Sequence, residues 1–198
     1  MTRTTRSILV RLGALAAIAA SVAACTGETP RATPERTALD TLPVLRTVKP
    51  FVGTDHRGST MNTASLKGSV WLASFFFTTC ESICPALNTV QASLQKDFGN
   101  KVRFVSISTD PATDTPPVMA EYAARFGAKD GVWSFIVMPH DRMLDVAANG
   151  LGLIAPTEPD VHSTRFVLVD TAMQVRGYYD SADSADVARL RTILAEVR

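Results

Sequence analysis

The chain has 198 residues, of which 46% are hydrophobic and 20% charged, and its formal net charge is +1. That length and apolar content provide for one domain with a proper core, and neither an internal repeat nor a low-complexity tract interrupts it. The sequence carries no polybasic run and no basic stretch interleaved with aromatics, which argues against nucleic acid as a partner.

The first residues read as a targeting segment. Arg3, Arg6 and Arg11 precede the small apolar stretch LGALAAIAASVAA, too short to span a membrane comfortably. It ends in Val22-Ala23-Ala24-Cys25, the form of a bacterial lipobox. Residues 1–24 are therefore expected to be a lipoprotein signal peptide, with Cys25 as the lipidated residue; an ordinary signal peptide or an uncleaved anchor is the plainer alternative. Export to the cell envelope follows, with a lipid holding the chain to a membrane on its extracytoplasmic side. Removing the signal leaves 17 basic against 19 acidic side chains, net about −2. Residues 25–45, with Pro30 and Pro34, read as a flexible tether, and 46–198 as the domain.

FVGTDHRGSTMNTASLKGS, from Phe51, predicts a short hairpin with its turn at Asp55-His56-Arg57-Gly58. VWLASFFF, from Val70, is a continuous apolar run, as expected for a strand buried on both faces. Leu87, Val90, Leu94 and Phe98 recur at helical spacing from Ile83 onward. VRFVSIS is the next strand, and the turn-rich DPATDTPP leads to a helix that stops at Gly127, with Asp114 or Thr115 as its N-cap. VWSFIVM predicts a strand and DRMLDVAANG a helix ending at Gly150. STRFVLVD and MQVRGYY read as paired strands, and an amphipathic helix capped by Ser184 closes the chain. Strands alternating with helices predict an α/β fold, parallel in part with an antiparallel end. A thioredoxin-like arrangement fits this order, as do other small α/β sandwiches.

Cys80 and Cys84 fall where the buried strand turns into the first predicted helix. Sites in open α/β sheets gather beyond the carboxyl ends of strands. A helix N-terminus favours thiolate over thiol, so both cysteines are expected to be more acidic than a free cysteine. The i, i+4 spacing lets two sulfurs share a helical face and meet one metal ion, or close a disulfide after slight relaxation. A ring closed over so few residues stabilises little, which disfavours a purely structural disulfide. A redox dithiol and a metal site both remain open on the residues alone. His56 in the hairpin turn reads as solvated, and His140 beside Pro139 as a helix-start or exposed residue. His162 precedes a strand; its start lies beside Cys80 only if that strand runs antiparallel to the cysteine-bearing one. Met138, Met143 and Met173 read as core fillers.

Three segments carry a resemblance. FFFTTCESICPALNTVQASL, VSISTDPATDTPPVMAEYAARFGA and VHSTRFVLVD resemble, in order, the cysteine, aspartate and histidine motifs of the SCO/SenC proteins, copper-handling assembly factors of cytochrome c oxidase. The similarity extends from about Phe51 to the C-terminal helix. It implies a thioredoxin-like three-layer sandwich with an added N-terminal β-hairpin, and a Cys2His copper site of Cys80, Cys84 and His162. It also places Asp110 and Asp114 near that site, although turn and N-cap duty accounts for them equally well. VWSFIVMPHDRM departs from the family's pattern, and the connection before His162 is short; neither change touches the three ligands.

The function implied is a membrane-tethered copper chaperone rather than an enzyme. Its thiolates and imidazole suit Cu(I) and Cu(II). Its partner is a copper-accepting oxidase subunit or another copper chaperone, and the chain is expected to be monomeric. The alternative is a thiol–disulfide oxidoreductase in which Cys80 and Cys84 keep a partner's cysteines reduced and His162 is dispensable. Peroxide reduction is disfavoured by the paired Cys84, and zinc hydrolysis by the lack of a placed carboxylate base.

Overall fold

The computed structural model describes residues 37–153 and 163–198. The expected signal peptide, Cys25 and His162 lie outside them.

The strands are β1 (Arg46–Thr47), β2 (Val52–Asp55), β3 (Thr60–Asn62), β4 (Val70–Phe76), β5 (Val102–Ser108), β6 (Trp133–Val137), β7 (Arg165–Val169) and β8 (Gln174–Asp180). The α-helices are α1 (Ala38–Thr41), α2 (Ile83–Phe98), α3 (Pro116–Arg125), α4 (His140–Asp145) and α5 (Ser184–Ala195). The strands form one sheet in the order β1-β8-β7-β4-β5-β6-β2-β3. β4, β5 and β6 run parallel, and β7 lies antiparallel on the other side of β4. The β2–β3 hairpin adds to β6, with its turn where Asp55-His56-Arg57-Gly58 predicts it.

Alternation along β4 explains its unbroken apolar sequence. Val70, Leu72 and Phe76 enter a core with α2, α3 and α5, while Trp71, Ala73 and Phe75 enter a second core beneath α4 and the Val48–Phe51 crossing. Each such large side chain contributes on the order of 2 kcal/mol by burial. The polar member of the strand, Ser74, is satisfied internally. Its hydroxyl donates to Gln91 Oε1 at 2.8 Å, and Ser106 Oγ lies 3.0 Å away. Gln91 and the Trp133 indole N–H both donate to Ser106 Oγ. Met138, Met143 and Met173 fill the second core, as expected.

The stretch up to residue 45 was expected to be tether, yet from Ala38 on it packs against the domain. Leu39 is buried, Ala38 N–H donates to Glu196 at 2.5 Å, and the Arg176 guanidinium donates to Leu42 C=O. Proline-rich composition hid this because one buried leucine and two bonds fix the segment. The cap of α5 is Asp183, not Ser184: its carboxylate accepts Ala185 N–H at 2.8 Å. Thr115 occupies the N-cap of α3, with prolines in its first turn, but makes no side-chain cap bond. The helix expected through Gly150 changes after Asp145 into one wide turn over Val146–Gly150, whose carbonyls at Ala148 and Asn149 accept from Arg46.

His56 is buried rather than solvated. Its backbone N–H donates to Phe135 C=O at 2.8 Å, and its Nδ1 accepts the Phe135 N–H at 3.3 Å. Burial holds its pKa below the ordinary 6.5, although the Asp55 carboxylate pulls it upward. The neutral ring is thus the one the fold accommodates. Stability contributed by this contact is present above pH 6.5 and falls as pH drops through 6.5 toward the folded-state value. Denaturant midpoints measured from pH 7 to 5 should fall, and His56→Gln should reduce that slope; an unchanged slope would remove His56 from the pH response.

Candidate metal centre

Cys80 and Cys84 sit beyond the carboxyl end of β4, in the turn that opens α2. Phe77 C=O accepts Cys80 N–H at 3.2 Å, so the chain reverses as soon as the strand ends. Cys80 precedes the helix N-cap, Ser82, and is not on the helix itself. Its sulfur serves as a cap acceptor for the Cys84 N–H at 3.3 Å. This differs from two sulfurs on one helical face, but it brings the same pair together.

The two thiols are not equally acidic. Burial alone would raise the Cys80 pKa, but the Cys84 thiol and the backbone N–H groups of Cys84, Ser82 and Ile83 outweigh it and hold Cys80 below an ordinary thiol. Cys84 is 5% exposed and packs in the core beside Leu87. Burial first, then its hydrogen bond to Cys80, push it up to about 12. The expectation of two acidic thiols therefore holds for Cys80 and is corrected for Cys84. Burial costs the Cys84 thiolate more than the helix terminus returns.

A buried carboxylate holds this turn in place. Asp114 is fully buried, and its Oδ1 accepts from Thr78 N–H at 3.1 Å and Thr78 Oγ1 at 2.5 Å. Its Oδ2 accepts from Ser108 Oγ at 2.5 Å. Asp114 thus ties the residue two before Cys80 to the end of β5, instead of capping α3. Asp110 does turn duty: its C=O accepts from Thr113 and Asp114, and its N–H donates to Ser108 Oγ.

Thr78, Ser108, Asn88 and Tyr122 are site neighbours that the sequence alone did not mark. Asn88 lies one helical turn beyond Cys84 and donates to Tyr122 Oη at 3.1 Å. The Tyr122 ring stacks on Phe76 at 5.4 Å. Burial pushes its phenol up to about 12, with smaller contributions from Cys84 and Cys80. Its place on the apolar face of α3 reads as ordinary core, so only the fold reveals what it neighbours.

His56 is committed to Phe135 on β6, where its Nδ1 is already occupied as an acceptor. His140 is exposed at the start of α4. Among the described residues, no three His, Cys, Asp or Glu side chains converge as a metal set. β7 pairs antiparallel with β4, Ala73 opposite Val167 and Trp71 opposite Val169. Its start at Arg165, with Ser163 and Thr164 before it, therefore lies at the carboxyl end of β4, the end that carries Cys80.

A sequence model of the SCO1/SenC family matches residues 40–195. The chain belongs to the SCO1/SenC family. The Bacillus subtilis SCO1 protein homolog is 38% identical over 92 residues, covering 45% of this chain and 48% of that protein. The chain thus spans about half the length of this curated relative. Among solved structures, a SCO1/SenC family lipoprotein from Bacillus anthracis aligns with a TM-score of 0.68 at 26% identity, over 77% of this chain and 95% of that one. Bradyrhizobium japonicum ScoI, solved with copper bound, aligns with a TM-score of 0.56 at 23% identity, over 75% and 99%, and shows the shared fold. The fold is the thioredoxin-like one of SCO proteins.

The asymmetry of the pair predicts an order of reaction. At neutral pH, a limiting amount of iodoacetamide should alkylate Cys80 at least about tenfold faster than Cys84, as read by peptide mass spectrometry. Equal labelling would contradict the proton placement.

Proposed function

We propose that this SCO1/SenC protein is a copper chaperone, held at the outer side of a membrane by a lipid on Cys25, that delivers copper to a respiratory oxidase or a related acceptor. Copper is its cargo. The observation that carries this reading is the Cys80–Cys84 dithiol at the carboxyl end of β4, beside the start of β7, in a chain of this family. His162 is the residue immediately before Ser163, so chain connectivity supports it as the third ligand.

Two thiolates and an imidazole are soft to borderline donors that suit copper in both oxidation states. Cys80 is half-buried and presents the first sulfur to an incoming ion. Cys84 must release its proton before it can bind, so loading liberates a proton and weakens as pH falls. The Asp114–Thr78 bonds hold the turn, which limits the reorganisation needed for the sulfurs to converge. Ile83 and Val118, each 38% exposed, lie in the first turns of α2 and α3 at this end of the sheet. They give an acceptor apolar surface to rest on while ligands are exchanged. The Bacillus anthracis relative described as a lipoprotein supports the same mode of attachment here.

A second reading rests on the thiol asymmetry itself. The Cys80 thiolate attacks a partner's disulfide, forming a mixed disulfide and releasing one partner thiolate. Cys84 then loses its proton and attacks Cys80 sulfur, releasing the second partner thiolate. The partner gains two electrons and this chain ends as the Cys80–Cys84 disulfide.

Equilibrium Cu(I) binding to the full chain distinguishes them. Cys80→Ala, Cys84→Ala and His162→Ala should each weaken affinity by about a hundredfold or more. Unchanged affinity in all three variants would end the chaperone reading. Affinity lost with the cysteines but kept in His162→Ala would favour the dithiol exchange.

A further inference from the structure

We infer that the end of the domain opposite the dithiol is a docking face for an anionic phospholipid surface, with a cleft beside Arg103 receiving lipid phosphate. This goes beyond the metal-site reading and rests only on the membrane attachment proposed above.

The sheet has two poles. Cys80 lies past the carboxyl ends of β4 and β5, and the amino ends of β4, β5 and β6 form the other pole, roughly 20 Å away along seven-residue strands. The cations gather at that second pole although they are scattered in sequence. Lys67 precedes β4, Lys101 and Arg103 flank the start of β5, and Lys129 precedes β6. None of these four pairs with a carboxylate among the described residues. Lys101 Nζ and Arg103 Nη1 bond only backbone carbonyls, at Ala195, Gly99 and Val102.

The acids at this pole are already engaged. Asp55 and Asp130 hold Arg57, Asp97 holds Arg191, Asp170 holds Arg176, Glu196 accepts the Ala38 N–H, and Asp40 accepts from Thr37. Lys67, Lys101, Arg103 and Lys129 outnumber the carboxylates here that no arginine offsets, Asp40, Glu196 and one of the Asp55–Asp130 pair, so the pole keeps a positive excess that the near-neutral composition conceals. By contrast, the dithiol pole carries Glu81, Asp110, Asp180 and Asp183.

Within the basic pole lies a cleft of about 260 Å³, lined by Arg103, Ser65, Ser69 and Ser134, and by Arg57, whose guanidinium Asp55 and Asp130 already hold. Guanidinium groups with hydroxyl donors are the chemistry of phosphate recognition. Free phosphate would satisfy the same donors. A membrane is favoured by where the chain enters: the described residues begin at this pole, where Ala38 bonds Glu196 beside the Lys101–Ala195 contact. A chain leading from this pole to a membrane would hold the basic face toward the lipid and the dithiol away from it. Each cation near an anionic leaflet adds on the order of 1 kcal/mol of attraction, which salt screens.

The test is residue-resolved lysine acetylation of the full chain on vesicles of phosphatidylglycerol or of phosphatidylcholine. On phosphatidylglycerol, Lys67, Lys101 and Lys129 should react about fivefold more slowly than on phosphatidylcholine. High salt should erase the difference, and Lys67→Glu/Lys129→Glu, both exposed positions, should remove the protection of Lys101. Equal rates on the two lipids would overturn the proposal. So would equal protection by inorganic phosphate alone, which would mark a phosphate site, or by duplex DNA, which would mark a nucleic-acid face.

Discussion

The antiparallel pairing of β7 with β4 is the constraint on which the proposed site depends. β4 runs parallel to β5 on one side and antiparallel to β7 on the other. The parallel side fixes where the chain leaves β4, at the pole where α2 and α3 begin. The antiparallel side returns a distant part of the chain to that same pole at the start of β7. Were β7 parallel, its start at Ser163 would lie at the far pole, away from the dithiol. The pairing is held by hydrogen bonds and by side chains buried on both faces, among them Leu72 and Leu168 on one and Ala73 and Val167 on the other.

Onto this frame the turn from Phe77 to Ser82 adds an unequal pair of thiols. The proton resides on Cys84 because that sulfur is in the core, and the helix-start N–H groups converge on Cys80. Asp114 holds the turn from below through Thr78 and ties it to β5 through Ser108. A carboxylate in so dry a place is kept by three donors, and losing any one of them would leave a buried acceptor short of a partner. The pair is therefore rigid on its inner side and accessible on its outer side. That combination serves both ligand exchange and thiol exchange, which is why geometry alone favours neither strongly and His162 decides.

Much of the fold was legible because its signals are local. The unbroken run at β4 marks a strand with two covered faces, Leu87 and Leu94 mark the inner side of α2, and Gly127 with its positive φ closes α3. The cysteine pair was legible from spacing and position. What escaped the sequence depends on contacts between distant residues. Asp114 reads as a cap until Thr78 and Ser108 are folded around it. His56 reads as a turn residue until Phe135 supplies its N–H. Cys84 reads as acidic until the core closes over it. Leu39 looks like tether until α5 lies beneath it, and the basic pole has no counterpart in any run of the sequence. In each case burial or pairing, not propensity, decides the outcome.

X-ray absorption at the copper edge tests the proposed centre most directly, on the full chain loaded with one equivalent of Cu(I). Two sulfur scatterers and one imidazole in the copper shell are expected, with the imidazole signature lost in His162→Ala and both sulfurs retained. A wild-type shell with no imidazole, or one unchanged by His162→Ala, would contradict a centre built from Cys80, Cys84 and His162.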